Sequence, residues 1–555
     1  MRKRIISTIL ALAIALILCL QAVPVMAEHT KDSSYIYDFW GNANQSLSAF
    51  QLATVIDKTS MADLAENHDE NLSSELPLSG VKDIFVYEEY EEVEVVEEVA
   101  TDVVEEVATE VVEDSTDVAE ESTTEVAPQT KTEKVLVERE IYVVDSVAGR
   151  VNIFTDDYKL RGSIRIIRDA EGKIVVSEET NKQMLLSGPE GVYVTKEYIY
   201  IADTGNERIL QLQRKAPYSL VKEITRPSSM VGDSLFKPSK IAVDNSGRIF
   251  VVVQNSTEGI IELNSDGSFS RYYGVNSPTV NLIDYFWKSL ASEEQQETMS
   301  KVYAPAFSNL HVDKDGFVYA VTVDTASQEM VFRFNSNGEN VLRKFGYSEQ
   351  LGDLPNMLDE SFTMSTFIDI AVNDYGVYAI LDTAKKRVFV YNFDGNLLSI
   401  FGGSGSTKGT FVNPTSITWM GNDLIVGDED LKSAFVFKTT DFGELILSAE
   451  EKYFTGDFDG AAELYRKAVE MNANYDHAYV AIGKNLLMQD EYEQAMHYFK
   501  LGNDKTYYST AFMGYRNLVL QKYFWILAIV IVAFIWWVLR GEVKYNKQQR
   551  KLEEL

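Results

Sequence analysis

The sequence is poor in cysteine, histidine and proline. Its 555 residues include one cysteine, five histidines and 11 prolines. The cysteine, Cys19, lies in an apolar N-terminal segment that we expect to be removed. A mature chain without thiols excludes disulfide scaffolds, cysteine-ligated zinc and cysteine nucleophiles. It is also compatible with export to an oxidising compartment.

Basic residues are scarce relative to acidic ones. The chain has 51 Lys and Arg against 84 Asp and Glu, so its formal net charge is −33. Without a basic surface to neutralise phosphates, we expect no binding of nucleic acid. Residues 88–130 alone hold 17 acidic and no basic residues. We interpret 88–133 as a solvated, disordered insertion whose charges repel, in preference to a cation-capturing segment.

Familiar catalytic motifs are missing. The sequence has no Walker loop, no Gly-x-Ser-x-Gly elbow and no His-Glu-x-x-His zinc motif. The histidines are scattered, and His311, on a predicted inner strand, is interpreted as structural. The sequence therefore favours binding over catalysis.

The N-terminal segment 1–27 has the features of a secretory signal. Arg2–Arg4 form a basic region, and an apolar run follows from Ile5 to Leu20. Val25 and Ala27 place small residues at a cleavage site. An uncleaved anchor is the alternative, and a lipoprotein signal at Cys19 is less favoured.

A second apolar run, Tyr523–Leu539, predicts a transmembrane helix over 523–539. Its 17 residues carry no charge. A helix of this length spans about 26 Å, close to the hydrocarbon thickness of a bilayer. The positive-inside rule places the following tail, 540–555, in the cytoplasm and nearly everything else outside. The basic residues of this tail are Arg540, Lys544, Lys547, Arg550 and Lys551.

A three-strand unit recurs between about 135 and 447, with Gly, Asp and Asn turns. The second strand of the unit ends in Asp, with a basic residue five positions later. The clearest copy is Asp203-Thr204-Gly205-Asn206-Glu207-Arg208. The defining positions are Asp145, Arg150, Asp203, Arg208, Asp382, Arg387 and Asp428, the last with Ser433 in the basic position. Second strands are expected to end near 145, 203, 253, 324, 382 and 428.

These motifs resemble the NHL-repeat family, which implies a six-bladed β-propeller. Single sheets cannot bury both faces, so the copies must stack radially. We place the propeller at 33–447, with Ser79–Tyr87 as the inner strand of blade one and 88–133 inserted in its inner hairpin. Residues 281–302 are expected to form a helical insertion. The aromatic segment Tyr35–Trp40 is predicted to close the ring on the last blade.

Residues 448–521 have helical periodicity. Four positions recur at a spacing of 34 residues and pair Phe458, Ala461, Tyr465 and Ala468 with Tyr492, Ala495, Phe499 and Gly502. This spacing resembles the tetratricopeptide repeat. Two repeats are too few to stand alone, so docking on the propeller or on a partner is expected. A peptide-binding groove and a rigid spacer both remain open.

The resemblance also extends to gluconolactonase-type propellers, which hold a divalent ion in the central channel. Glu190, Asn309 and Asp369 are candidate oxygen ligands for Ca²⁺, which would polarise a lactone carbonyl. A polar channel lining without a cofactor is the favoured interpretation.

The predicted fold is therefore mainly β: a six-bladed propeller, a small tetratricopeptide-like helical domain and one transmembrane helix. We expect a single-pass scaffold of the bacterial cell envelope that binds an envelope or membrane protein, such as part of a transport complex. A metal-dependent hydrolase and a structural spacer are the alternatives.

Overall fold

The computed structural model describes residues 34–38, 41–69, 77–96, 130–177, 181–230, 235–256, 258–274, 306–324, 329–346, 350–353 and 364–553. The predicted signal segment 1–27 and the predicted helical insertion 281–302 lie outside the described residues, as do residues 97–129 of the acidic insertion.

The first elements that the structure describes come before the propeller blades in the sequence. They are β1 (Tyr35–Tyr37), β2 (Ala43–Gln45), β3 (Phe50–Ile56) and the short helix α1 (Lys58–Ala62).

Six antiparallel sheets follow one another along the chain and form six blades. The strands of blade one are β4 (Val81–Val96), β5 (Thr130–Asp145), β6 (Arg150–Thr155) and β7 (Leu160–Ile164). Those of blade two are β8 (Gly191–Val194), β9 (Tyr198–Asp203), β10 (Arg208–Gln213) and β11 (Leu220–Ile224). Those of blade three are β12 (Pro238–Val243), β13 (Ile249–Val253), β14 (Ile260–Leu263) and β15 (Phe269–Tyr273).

The second half of the ring is less uniform. Within the described residues, blade four has three strands, β16 (Phe307–Val312), β17 (Val318–Thr322) and β18 (Val331–Phe334). Blade five contains β19 (Phe367–Val372), β20 (Tyr378–Asp382), β21 (Arg387–Tyr391) and β22 (Leu397–Gly402). Blade six contains β23 (Pro414–Met420), β24 (Asp423–Asp428) and β25 (Ser433–Thr439).

The prediction of a six-bladed β-propeller is confirmed. The second strands end at or within two residues of the six predicted positions. Every residue of β13, Ile249–Val253, is buried, because a blade packs both of its faces against neighbouring blades. The apolar residues of adjacent blades therefore form shared clusters around the ring.

The ring is closed by β3, which pairs with β25 as the outer strand of blade six. The prediction that Tyr35–Trp40 closes it is wrong. β1 instead pairs with β22 at the outer edge of blade five, where Tyr35 lies opposite Ile400. The hydroxyls of Tyr35 and Tyr37 both donate to Asp353, so partly buried hydrogen bonds fix the aromatic segment there.

The inner hairpin of blade one is longer than the sequence indicated. Both of its strands have 16 residues, so residues 88–96 and 130–133 of the predicted disordered insertion are strand residues. The second strand pairs with β6 only from Glu140 onward. We call residues 88–96 and 130–139 the ribbon, since in the described part of the chain they pair only with each other.

Five helices follow the propeller. They are α2 (Asp441–Thr455), α3 (Phe458–Met471), α4 (Asp476–Met488), α5 (Tyr492–Leu501) and α6 (Lys505–Glu553). The recurring motif falls on α3 and α5, and Gly502 caps the end of α5. The small residues Ala461, Ala468 and Ala495 are buried, which allows close helix approach. We call α2–α5 and the first turns of α6 the helical array.

The last helix, α6, is continuous from the helical array through the predicted membrane span. In the part of the chain that the structure describes, it alone is long and apolar enough to cross a membrane. Ala511 near its start is buried, whereas the apolar side chains of 523–539 are predominantly exposed.

Candidate functional site

Six structurally equivalent residues mark one level of the inner strands. Each lies opposite the penultimate residue of the second strand of its own blade. From blade one to blade six they are Asp83, Gly191, Lys240, Asn309, Asp369 and Ser416. Because inner strands surround the propeller axis, this level is where polar side chains from different blades can meet.

Two of these residues form an ion pair across the channel. The Lys240 ammonium donates to the Asp83 carboxylate, and both side chains are 11% exposed. Blades one and three are not neighbours, so this contact passes through the interior of the ring. Asp83 also accepts the N–H of Val192 at 2.9 Å. Burial raises the pKa of Asp83, and the Lys240 ammonium opposes this rise.

Asp369 has the same role in blade five that Asp83 has in blade one. It accepts the N–H groups of Ile370 and Ile417, each at 2.7 Å, and the side-chain amide of Asn309. Ile417 belongs to the next blade, as Val192 does, so both aspartates join adjacent blades. Burial raises the pKa of Asp369 to about 7, the Lys240 ammonium opposes this rise, and the Asp83 carboxylate adds to it.

The three candidate metal ligands are only partly brought together. Asn309 and Asp369 are in contact, whereas Glu190 has a different partner and accepts from the Gln254 amide at 2.7 Å. Asn309 directs an N–H donor at Asp369, and Lys240 adds a positive charge at the same level. This donor set does not fit Ca²⁺, which requires converging oxygen ligands. The described residues include no group of three or more His, Cys, Asp or Glu suited to a metal.

Sequence reasoning missed Asp83 and Lys240 as channel residues. A signal for Asp83 was present, because Val81-Lys82-Asp83-Ile84 resembles Phe367-Ile368-Asp369-Ile370. Lys240 gave no such signal, since its partner lies two blades away and contacts of that kind follow only from closure of the ring.

The aspartates that end the second strands fix the loop before the inner strand of their own blade. Asp203 accepts the Ser187 N–H at 2.7 Å and Nε of Arg208 at 2.8 Å. Asp145 accepts the Gly80 N–H at 3.1 Å and pairs with Arg150. In blade six, Asp428 accepts the N–H groups of Val412 and Asn413 at 2.8 and 3.0 Å.

Blade five departs from this pairing. Asp382 accepts the Thr366 N–H at 3.1 Å, but Arg387 lies 3.7 Å from Asp353 and places its guanidinium over the Tyr35 ring, 4.8 Å from the centroid. The N-terminal strand β1 brings Tyr35 to this blade, and the arginine turns toward it.

The known proteins similar to this chain are solved structures of low sequence identity. No protein-family model matches the sequence, and no curated protein matches it. A solved structure of virginiamycin B lyase from Staphylococcus aureus is 9% identical with a TM-score of 0.34, covering 54% of this chain and 92% of that chain.

Two further solved structures have similarly low sequence identity and TM-scores. A protein of unknown function from Bacteroides thetaiotaomicron is 12% identical with a TM-score of 0.33, covering 54% of this chain and 67% of that chain. The computationally designed Ika8 protein is 9% identical with a TM-score of 0.30, covering 54% of this chain and 80% of that chain.

A second buried polar cluster connects the propeller to the helical array. Both carboxylate oxygens of Glu450 in α2 accept from the Asn392 amide of blade five, at 3.0 and 3.1 Å. The same carboxylate accepts the Tyr465 hydroxyl and lies 2.9 Å from Nε2 of His477. All four side chains are buried. We call Asn392, Glu450, Tyr465 and His477 the joint.

The loop of blade five beside the joint contacts two helices of the array, α2 and α4. Asp394 accepts the Tyr453 hydroxyl of α2 at 3.4 Å and lies 3.9 Å from the Lys484 ammonium of α4. That ammonium is also 4.8 Å from the ring centroid of Tyr507 in α6. One apolar cluster continues from the last two blades into the helices. The expected docking of the array on the propeller is therefore observed.

Proposed function

We propose that this protein is a single-pass scaffold of the bacterial cell envelope that binds an envelope or membrane protein through its extracytoplasmic propeller. The observation that carries the proposal is the joint between the propeller and a helical array that continues into α6. A buried joint makes the propeller, the array and the start of the anchor one packed unit.

The geometry of α6 supports a close approach to the membrane. Tyr507 stacks on Phe499 of α5 with 5.5 Å between ring centroids, and Ala511 is buried in the cluster shared with the propeller. Tyr523 follows Ala511 by only 12 positions in the sequence. At the rise of an α-helix, the array is held within about 18 Å of the predicted hydrocarbon core.

The assignment of NHL-type blades and tetratricopeptide-like helices forms part of this proposal. The segment Asp203–Arg208 and the 34-residue motif spacing support it. In this proposal the helices connect the propeller to the membrane and do not bind the partner. The reason is that the loop at Asp394 already occupies the side of the array that faces the propeller. Binding of the partner is therefore assigned to the propeller.

The hydrolase alternative is less well supported. Asn309 and Asp369 hydrogen-bond to each other, and Lys240 pairs with Asp83 between the blades. These groups are occupied by contacts that hold the ring together, which favours a structural lining over a catalytic centre.

Crosslinking in intact cells, followed by identification of the attached proteins, tests the proposal. We expect one recurrent envelope or membrane partner, attached to propeller peptides. A control chain in which 523–539 is replaced by an unrelated transmembrane sequence should capture the same partner. Attachment through the membrane helix alone, or the absence of a recurrent partner, would support the spacer alternative instead.

A further inference from the structure

The ribbon has a free strand edge among the described residues of the chain. β4 is the first strand of its sheet, so within those residues β5 is its only hydrogen-bonded neighbour. Two-stranded hairpins are marginally stable in water, and free strand edges accept further strands. The ribbon has the backbone groups needed to pair with another chain.

Apolar side chains of the ribbon are left in solvent. Tyr90 and Val93 are each 43% exposed, Val135 is 47% exposed and Val137 is 55% exposed. Within the blade itself the same two strands bury their apolar residues, including Ile84 and Ile141. The exposed residues therefore offer contact area that no described part of the chain covers.

The base of the ribbon is held by ion pairs. Arg139 donates to Glu88 at 2.7 Å, Lys196 of blade two lies 2.6 Å from Glu89, and Arg214 donates to Glu138 at 2.9 Å. Contacts from two neighbouring blades limit its motion, because Glu88 also accepts the Gly421 N–H of blade six at 3.3 Å. An edge fixed in this way loses little conformational entropy when it binds.

The charge of β4 selects the kind of strand that can be added. Four of its residues between 88 and 92 are glutamates, and Glu91 and Glu92 are exposed. A second copy of this chain would place like charges opposite one another, which destabilises strand pairing. A strand with basic residues would instead form favourable cross-strand pairs.

We propose that the β4 edge of the ribbon binds an extended segment of a partner protein in which basic and apolar residues alternate. Backbone hydrogen bonds add the segment as a new strand. Because side chains alternate between the two faces of a strand, its basic residues pair with Glu91 on one face while its apolar residues cover Tyr90 on the other. This inference rests on the proposed scaffold function and specifies the chemistry of the partner.

The test uses the full chain in lipid nanodiscs and two synthetic decapeptides. One alternates lysine and valine, and the other replaces every valine by proline, which keeps the charge but removes every second backbone N–H and so prevents a regular strand. We expect only the lysine–valine peptide to bind and to slow amide hydrogen exchange at residues 88–93. Equal binding of both peptides would mean simple attraction to the acidic segment and would overturn the proposal, as would no binding.

A charge-reversed variant locates the site. Glu91→Lys with Glu92→Lys should weaken binding of the lysine–valine peptide at least about tenfold, since attractive pairs become repulsive. The control, Glu171→Lys with Asp430→Lys, makes the same change in net charge at exposed positions away from the ribbon. Equal weakening by both double variants would refute the assignment to the ribbon. A cellular partner crosslinked elsewhere on the propeller would leave the scaffold function standing while removing this site.

Discussion

Replacing Glu450 by alanine tests whether the joint holds the propeller and the helical array together. The carboxylate is buried and is the shared acceptor of Asn392, Tyr465 and His477. Its removal orphans three buried polar groups, each of which costs about 1–3 kcal/mol when it is left without a partner.

We do not expect the summed cost of all three groups, because two of them can hydrogen-bond to each other once the carboxylate is gone. The Tyr465 hydroxyl lies 3.3 Å from Nε2 of His477, which leaves chiefly the Asn392 amide unsatisfied. We therefore expect a loss of about 1–3 kcal/mol, the cost of one buried polar group left without a partner. Glu450→Gln keeps the size of the side chain and should cost less.

Urea unfolding of the detergent-solubilised full chain measures this cost, and hydrogen exchange locates it. We expect faster exchange in α2–α5 and at Asn392, while the first three blades keep their protection. Glu451→Ala is the matched control, because this neighbouring glutamate is exposed. If both variants unfold alike and α2–α5 exchange at the wild-type rate, the joint does not hold the two parts together.

Three further predictions concern the blades, the channel and the anchor. Asp203→Ala should destabilise the chain by about 3–5 kcal/mol, since a buried ion pair with Arg208 is broken, whereas Asp430→Ala should leave the urea midpoint unchanged; equal effects would contradict the role of the motif. Burial raises the pKa of Asp369 to about 7, so the folded state binds this proton more strongly than the unfolded state. The proton adds up to about 4 kcal/mol to the free energy of unfolding below about pH 4, and this gain is lost as the pH rises to about 7. Asp369→Asn should flatten the dependence of the unfolding free energy on pH, measured by urea unfolding at each pH. An unchanged dependence would refute the assignment. Truncation before Tyr523 should move the chain from the membrane fraction to the soluble fraction on ultracentrifugation, and continued sedimentation with membranes would show a second anchor.

Local sequence patterns were sufficient to predict the blades. Second strands that end in Asp are visible because the same loop must be fixed in each copy, as Asp145, Asp203 and Asp428 show through their bonds to backbone N–H groups. The helical motif was visible for a similar reason: close helix packing needs small residues such as Ala461 and Ala468 at regular spacing.

Contacts between distant parts of the chain were not predictable in the same way. Ring closure by β3 depends on which of two N-terminal strands fits the last blade, and the aromatic content of Tyr35–Trp40 favoured the wrong one. The Asp83–Lys240 pair and the joint at Glu450 each connect elements separated by many residues. Their partners are set by the closed ring and by the docked helices.

Labelling of single cysteines in intact cells tests the membrane topology most directly. Asp430→Cys places a thiol at an exposed position of blade six, and Gln549→Cys places one on the tail beyond the membrane span. The unsubstituted chain, whose one cysteine lies in the predicted signal segment, gives the background. A membrane-impermeant maleimide should label Asp430→Cys in intact cells and Gln549→Cys only after the cells are permeabilised. The reverse pattern, or protection of both sites, would contradict a propeller held outside the membrane by a C-terminal helix.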